Sequence, residues 1–283
     1  MLPGSPADPA LRFRQLVSGA DEEIDLAEGA LLIAQSAYPD LDVRACRARI
    51  DDLARRLRAQ VPEDSSGAQR ILALNRFLFE QQGFSPNVEN YFDPRNSFLN
   101  DVLERRVGIP ITLSILYMEV GRRIGLQLHG VSFPGHFLVK CKLDDGTAIL
   151  DPYCGGISLS LQDLQDRLRE VRGGEVSRAI VAGMLVSANN REILARMLRN
   201  LKAIYLRCHE YARALVTIDW ICAVSPRDPG EVRDRGQTYL KLECFRAALE
   251  DLERYLELAP DTEDADEVRA QVIELRRTAA RLN

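Results

Sequence analysis

Apolar residues recur at three- and four-residue steps through much of the first third of the chain, which is the period of a helix. The stretches that show this period are residues 22–34, 43–58 and 68–82. Pro39 follows the first stretch and Gly83 the third, and both residues favour the end of a helix. Residues 84–96 contain Tyr91 and Phe92, which are costly to expose. The pattern therefore predicts three helices and then an ordered loop that buries both rings.

The middle of the chain changes to a shorter, β-rich pattern. Residues 110–124 are apolar on every side, which predicts a buried helix that begins at Pro110 and stops at Gly125. Three short stretches after it are rich in β-forming residues and separated by turns, at 128–133, 137–143 and 147–150. They predict antiparallel strands, with the last two joined as a hairpin. The predicted fold class is α+β, with a helical N-terminal part and a buried central helix packed on a small antiparallel sheet.

Residues from 187 onward are predicted to be helical, and they repeat with a period of 34 residues. The residues matched at this offset include the pairs Tyr205 and Tyr239, Leu215 and Leu249, and Pro226 and Pro260. A helix–turn–helix unit of this length with a closing proline is the tetratricopeptide pattern, although both copies lack its glycine. We therefore predict two domains, residues 1–186 and an all-α repeat segment at 187–283 that ends in a helix at 267–282.

Composition and charge narrow the classes of function. The 283 residues carry a net charge of -5 and have a pI near 5.4, which argues against nucleic acid as a partner. The longest apolar stretch, 108–121, contains Glu119 and is too short to cross a bilayer, so we expect no membrane association. The first ten residues lack the basic and apolar regions of a secretory signal. These features together predict a cytoplasmic protein.

The cysteines and histidines do not predict a metal site. The six cysteines, none of them in a CxxC pair, are Cys46, Cys141, Cys154, Cys208, Cys222 and Cys244. Cys222, for example, lies between Ile221 and Ala223, so we predict buried free thiols rather than a disulfide framework. The three histidines are His129, His136 and His209, and their spacing does not match a zinc motif. We therefore predict no metal and no cofactor.

The candidate chemistry lies in the predicted hairpin. His136 enters one strand, and Asp151 leaves the next. Neighbouring antiparallel strands can place such an imidazole and carboxylate side by side, where the carboxylate fixes the tautomer of the ring and stabilises its protonated form. A nucleophile would come from the helix that begins at Pro110, because the free N–H groups at a helix N-terminus lower the pKa of a thiol and can hold an oxyanion.

Four segments carry a resemblance to a known family. They are Asn96-Ser97-Phe98-Leu99-Asn100-Asp101-Val102-Leu103, Gly108-Ile109-Pro110-Ile111-Thr112-Leu113-Ser114-Ile115-Leu116-Tyr117, Gly130-Val131-Ser132-Phe133-Pro134-Gly135-His136-Phe137-Leu138-Val139 and Leu150-Asp151-Pro152. The chain resembles the transglutaminase-like superfamily of papain-like folds. Within it, the chain is most similar to bacterial transglutaminase-like proteins with a C-terminal tetratricopeptide segment, which are related to a protein once named as an invasion-gene regulator. The resemblance implies that His136 is the base and Asp151 the acid that orients it.

The sequence departs from this superfamily at the nucleophile. Transglutaminases and their protease relatives place a cysteine at the start of the helix, which corresponds to residues 110–112 of this chain. No cysteine occurs between Cys46 and Cys141. The imidazole of His136 therefore has no thiol to activate at the expected position.

Three residues are candidates to replace the missing thiol. Thr112 and Ser114 lie in the right helix, and Cys154 follows Asp151 closely in the chain. The other interpretation is that His136 and Asp151 only pin the hairpin, since a buried polar pair must be satisfied but need not be catalytic. We predict a degenerate transglutaminase-like protein, a pseudoenzyme that binds a protein or peptide partner and has a regulatory role. The alternative is an amide hydrolase or acyltransferase that uses one of the candidate nucleophiles; the oligomeric state stays open.

Overall fold

The structure, a computed structural model, describes the backbone of residues 8–281 and the side chains of residues 8–277. Residues 1–7 of the predicted first domain and Leu282 of the predicted last helix lie outside the described residues. The chain forms two compact units that meet in sequence between Met197 and Leu198. The predicted α+β fold class, with a helical segment after it, is confirmed.

The first unit contains helices on either side of a small sheet. Its helices are α1 (Pro9–Ser18), α2 (Leu26–Gln35), α3 (Val43–Arg58), α4 (Gly67–Asn75), α5 (Leu99–Arg105), α6 (Pro110–Arg123), α7 (Leu161–Arg172) and α8 (Arg178–Gly183), and α9 (Asn190–Arg207) begins in it. Asp25, Asp42 and Ser66 each cap a helix by accepting a hydrogen bond from a backbone N–H of its first turn. The predicted helices at 22–34 and 43–58 correspond to α2 and α3.

The third predicted helix is not a single α-helix. After α4 the backbone widens into a π-helix over Arg76–Gln81, in which the amide of Gln82 donates to the carbonyl of Phe77. Gly83 then ends the segment with φ +73°, a left-handed conformation that glycine adopts easily. The predicted helix over 68–82 is therefore confirmed in extent, but the apolar spacing does not distinguish these two helical forms.

The aromatic loop after Gly83 is more exposed than predicted. Tyr91 is 38% exposed and Phe92 is 48% exposed, so the expectation that both rings are buried is wrong. The two rings pack edge to face, with centroids 5.3 Å apart, and so cover part of each other instead of entering the core.

Helix α6 is the central element of the first unit. Every residue from Pro110 to Gly121 is buried, and the helix packs against α3 and the neighbouring sheet, as the all-round apolar pattern predicts. Its buried Glu119 accepts hydrogen bonds from Arg123, with Nη1 2.6 Å from Oε2. Within the part of the chain that the structure describes, no helix is long and apolar enough to cross a membrane.

The sheet beside α6 is antiparallel, as predicted. Its strands, in spatial order, are β3 (Gln127–Val131), β4 (Leu138–Leu143), β5 (Gly146–Asp151) and β6 (Ile157–Ser158). A separate parallel pair is formed by β1 (Ser85–Pro86) and β2 (Val107–Gly108). Val139 of β4 lies opposite Leu150 of β5. This register brings the start of β4 and the end of β5 together at the open end of the hairpin, which is where His136 and Asp151 lie.

The second unit consists of paired helices. After α9 it contains α10 (Tyr211–Val224), α11 (Pro229–Lys241), α12 (Phe245–Leu258) and α13 (Ala265–Arg281). His209 and Glu243, 34 residues apart, both have positive φ, at 56° and 58°, in the turns that join the helices. Glycine is usual in such turns, so the repeat keeps the tetratricopeptide turn without its glycine.

The cysteines are less buried than predicted. Cys46 and Cys141 are buried, but Cys222 is half-buried and three are exposed: Cys154, Cys208 and Cys244. Cys154 ends a short 3-10 helix, and Cys208 and Cys244 lie between consecutive helices, so none of the three enters a helix face that packs in the core. The prediction of burial is therefore correct only for Cys46 and Cys141.

Candidate functional site

The structure brings His136 and Asp151 together. The Nε2 atom of His136 lies 2.8 Å from Oδ1 of Asp151, where the ends of β4 and β5 meet. The carboxylate is fully buried, whereas the imidazole side chain keeps 16% of its surface exposed. A carboxylate at Nε2 favours the tautomer that carries its proton there, which leaves Nδ1 as an acceptor in the neutral ring.

Asp151 is held by donors in addition to His136. Its Oδ1 atom accepts hydrogen bonds from the amides of Tyr153 at 3.1 Å and Cys154 at 3.3 Å, and its Oδ2 atom lies 2.7 Å from Nη1 of Arg167. Burial alone would raise the pKa of Asp151, but His136 and Arg167 outweigh this effect and lower it to about 2. The carboxylate is therefore ionised at neutral pH and has donors for both oxygens.

The backbone and ring of His136 are fixed as well. The carbonyl of His136 accepts a hydrogen bond from Nη2 of Arg196 at 2.7 Å, and the same nitrogen lies 3.1 Å from the carbonyl of Phe133. The guanidinium also lies over the ring of Phe137, 5.5 Å from its centroid. The imidazole meets Tyr153 edge to face, with centroids 5.8 Å apart. These contacts leave little freedom for the imidazole to turn.

Thr112 is buried and its hydroxyl is occupied. The Oγ1 atom accepts from the amide of Ile109 at 3.1 Å and donates to the carbonyl of Asn96 at 2.8 Å. It thereby closes the first turn of α6 and ties that turn to the segment before α5. Among the described residues, this hydroxyl makes no hydrogen bond with His136.

Ser114 lies nearer to the hairpin but does not bind the imidazole. Its Oγ atom is 3.4 Å from the carbonyl of Phe137, the residue next to His136. Residues four positions apart lie on the same face of a helix, so Pro110 shares this face with Ser114 at the tip of α6. Proline has no nucleophilic side-chain atom, so the first residue of α6 cannot replace the missing cysteine.

A comparison of the sequence with known families identifies both units of the chain. The profile described as the transglutaminase-like superfamily matches residues 44–199, which contain the whole site. The chain belongs to the transglutaminase-like superfamily. A second profile, described as the tetratricopeptide repeat, matches residues 201–272, and so confirms the predicted repeat.

The chain also has bacterial relatives over nearly its whole length. It is 43% identical over 265 residues to the UPF0162 protein of Xylella fastidiosa (strain Temecula1), which covers 93% of this chain and 94% of the relative. It is 32% identical to the UPF0162 protein of Vibrio cholerae, and the alignment covers 89% of this chain and 94% of that relative. It is 28% identical to the UPF0162 protein YchA of Escherichia coli (strain K12), and the alignment covers 92% of this chain and 96% of that relative. The aligned regions therefore include residues of both units of this chain.

Cys154 is the thiol that the structure places beside this transglutaminase-like pair. It is exposed, its amide donates to Asp151, and its Sγ atom lies 4.0 Å from Nη2 of Arg167. Although the residue is exposed, partial desolvation of its sulfur raises the pKa of the thiol, and the charge of Asp151 raises it further against the opposing effect of Arg167. The neutral thiol is therefore favoured, and the thiolate is the form that a transglutaminase-like nucleophile requires.

Arg167 is the site residue that the sequence analysis missed. It lies on α7, whose amphipathic pattern over 161–172 follows a capping box formed by Ser160 and Asp163. That pattern is typical of a helix, although no helix was predicted there, and it does not reveal that Arg167 reaches Asp151. Among the described residues, no group of three or more His, Cys, Asp or Glu side chains is arranged to hold a metal ion.

Proposed function

We propose that the His136 site of this cytoplasmic protein binds a peptide or protein segment without cleaving it. The observation that carries the proposal is the state of the imidazole, whose Nε2 is held by Asp151 while Nδ1 has no hydrogen-bond partner among the described residues. In the neutral ring Nδ1 accepts a hydrogen bond. A peptide N–H or a side-chain donor of a partner is the group that fits it.

The environment of the site supports binding rather than acyl transfer. Catalysis by an imidazole base needs a nucleophile within hydrogen-bond reach. The hydroxyl of Thr112 is hydrogen-bonded to backbone groups, and the hydroxyl of Ser114 lies against the carbonyl of Phe137. The imidazole is rigidly held, as in an enzyme, but neither hydroxyl is activated by it.

The repeat unit gives a second reason to infer a protein partner. Tetratricopeptide repeats generally mediate interactions between proteins, because stacked helix pairs form extended binding surfaces. We assign the peptide contact of His136 to residues 1–186 and the protein contact of the repeats to residues 187–283. The proposed function of the whole chain is therefore regulatory binding.

A thiol-reactive probe tests this proposal. The full chain and the His136→Ala variant are treated with equal amounts of iodoacetamide at neutral pH, and intact masses are followed over time. We expect slow labelling of the exposed cysteines at the same rate in both proteins, since none has a base to ionise it. One rapidly labelled site that disappears with His136→Ala would contradict the proposal.

The second candidate function is acyl transfer or amide hydrolysis with Cys154 as a displaced nucleophile. The observation in its favour is that Cys154 is exposed and contacts both Asp151, through its amide, and Arg167. Under this alternative, turnover of a peptide substrate is lost in both Cys154→Ser and His136→Ala. Ser114→Ala provides the matched test of a hydroxyl nucleophile, and turnover in the wild type that Cys154→Ser leaves unchanged would exclude Cys154.

A further inference from the structure

A cleft of about 440 Å³ lies beside α3 and is separate from the His136 site. One stripe of α3 forms a wall, in which Ala45 and Ala48 leave room that larger side chains would fill. None of the residues that line the cleft belongs to the site of His136, Asp151 and Arg167. A cleft of this size can hold a small molecule.

The charges around the cleft favour an anion. Arg49, Arg56 and Arg106 line it together with a single acid, Asp52, so the lining is positive in a chain whose net charge is -5. Asp52 already pairs with Arg55 and lies 3.8 Å from Arg56. The charges of Arg49 and Arg106 are therefore not neutralised by that carboxylate.

Arg49 and Arg106 are positioned by backbone carbonyls. The Nη2 atom of Arg49 donates to the carbonyl of Leu103 at 2.9 Å, and Nη1 of Arg106 donates to the carbonyl of Gln82 at 2.8 Å. Neither guanidinium forms an ion pair with a carboxylate of the described residues. Since each guanidinium has five N–H donors, both keep donors for a ligand.

The backbone at Arg106 is a second unusual feature. Arg106 ends α5 with φ +61°, in the left-handed region where glycine is the usual residue. Its amide and carbonyl are both bonded, to Val102 and Ser85, so the conformation is fixed on both sides. The chain therefore holds an arginine at the cleft in a conformation that glycine would adopt more easily.

The floor of the cleft is apolar. It contains Leu53, Phe84 and Leu103, and each is less than a tenth exposed. An apolar floor beside two guanidinium groups with free donors matches a ligand that has both an anionic group and an apolar part. Guanidinium groups bind phosphate and carboxylate oxygens in a planar, two-point geometry.

We propose that this cleft binds an anionic small molecule, with its phosphate or carboxylate group on Arg49 and Arg106 and its apolar part on Leu53, Phe84 and Leu103. The two anionic groups share the same chemistry, and the choice of probe distinguishes them. Phenyl phosphate, benzoate, inorganic phosphate and phenol separate the contributions of the charge and of the ring.

Calorimetric titration of the full chain with these four probes tests the proposal. We expect phenyl phosphate or benzoate to bind about tenfold more tightly than inorganic phosphate, because the ring buries apolar surface, and phenol to bind most weakly. Whichever of phenyl phosphate and benzoate binds more tightly identifies the anionic group. Absence of binding by both at millimolar concentration would overturn the proposal.

Two variants locate the binding. Arg106→Gly relieves the left-handed backbone, so the fold is expected to keep its thermal midpoint while the affinity falls by about tenfold or more. Arg49→Gln is expected to lower the affinity by a similar factor. The matched control is Arg44→Gln, which alters an exposed arginine of α3 outside the cleft lining and should leave affinity unchanged. Equal affinity in Arg106→Gly, Arg49→Gln and the wild type would contradict the assignment.

Discussion

Each unit of the molecule contains a buried carboxylate that is held by two basic side chains, but the partners differ. In the first unit Asp151 lies 2.8 Å from His136 and 2.7 Å from Arg167. In the second unit Glu231 lies 2.8 Å from Arg199 and 2.7 Å from Lys202. One partner of Asp151 is the imidazole of His136, whose side chain keeps 16% of its surface exposed. Burial would lower the pKa of Lys202, but its hydrogen bonds to Asp234 and Glu231 raise it, so this partner stays charged.

The difference shows what a buried ion pair contributes in each place. In the repeat unit the charges join α9 to α11, and each cation is paired with two carboxylates, so they act in packing. In the transglutaminase-like unit the same type of pair holds an imidazole with one nitrogen unbonded among the described residues. The arrangement in the repeat unit serves packing, whereas we propose that the arrangement in the transglutaminase-like unit also presents a binding site.

The largest effect is expected for removal of the carboxylate at Asp151. Asp151→Ala leaves Arg167 without its partner and removes the acceptor of two amides, which should cost about 3–5 kcal/mol of unfolding free energy. Urea unfolding followed by circular dichroism measures it. Asp166→Ala, an exposed acid on the same helix as Arg167, should cost less than about 0.5 kcal/mol. Equal losses in both variants would show that Asp151 is not an anchor of the unit.

A smaller effect is expected for Glu231→Ala in the repeat unit. Lys202 keeps Asp234 at 2.8 Å and Arg199 keeps Asp228 at 2.9 Å, so neither cation is left alone. The loss should be about 2 kcal/mol, below that of a pair with no substitute partner. Trp220 is the single tryptophan of the chain and lies in this unit, so its fluorescence reports the unfolding. A loss of unfolding free energy as large as that of Asp151→Ala would show that the two carboxylates contribute equally to stability.

Acid should lower the free energy of unfolding by protonating Asp151. Its pKa falls from the ordinary value of 3.8 to about 2 in the folded protein, so the folded state binds this proton less readily than the unfolded chain. The stabilisation is therefore complete above about pH 4 and is lost as the pH falls towards 2, by roughly 2 kcal/mol. Urea unfolding across this range, compared with Asp151→Asn, measures the change. A stability difference between the two proteins that does not change with pH would contradict it.

Removal of the imidazole should have the smallest effect. In His136→Ala, Asp151 keeps Arg167 and its two amide donors, so the loss should be about 1 kcal/mol, the net value of one hydrogen bond. The same urea experiment measures it. His129→Ala, which removes a histidine from the adjacent strand β3, serves as the control for loss of an imidazole. A loss above about 3 kcal/mol would mean that His136 is retained for folding rather than for binding.

The sequence was sufficient to predict the elements that place the site. The buried period of α6 and the spacing of His136 and Asp151 around a two-strand turn follow from local patterns, because both depend on residues close in the chain. The repeat of 34 residues is also visible locally, and the structure shows it again in the matching backbone of His209 and Glu243.

Contacts between elements distant in the chain could not be predicted in the same way. Arg167 reaches Asp151 from a helix whose packing is set by the whole unit. The hydroxyl of Thr112 donates to the carbonyl of Asn96, sixteen residues earlier. The exposure of Tyr91 and Phe92 likewise depends on how a loop lies on the surface. Such contacts decide which candidate residues are free to act, so the role of the site required the structure.

One measurement tests the central claim that the His136 site binds without cleaving. A peptide library is incubated with the full chain and with His136→Ala, and mass spectrometry compares the peptides retained on each protein with the masses of all peptides in solution. We expect peptides that are retained by the wild type and lost by His136→Ala, with every peptide mass unchanged. Cleaved, deamidated or cross-linked peptides that form only with the wild type would contradict it.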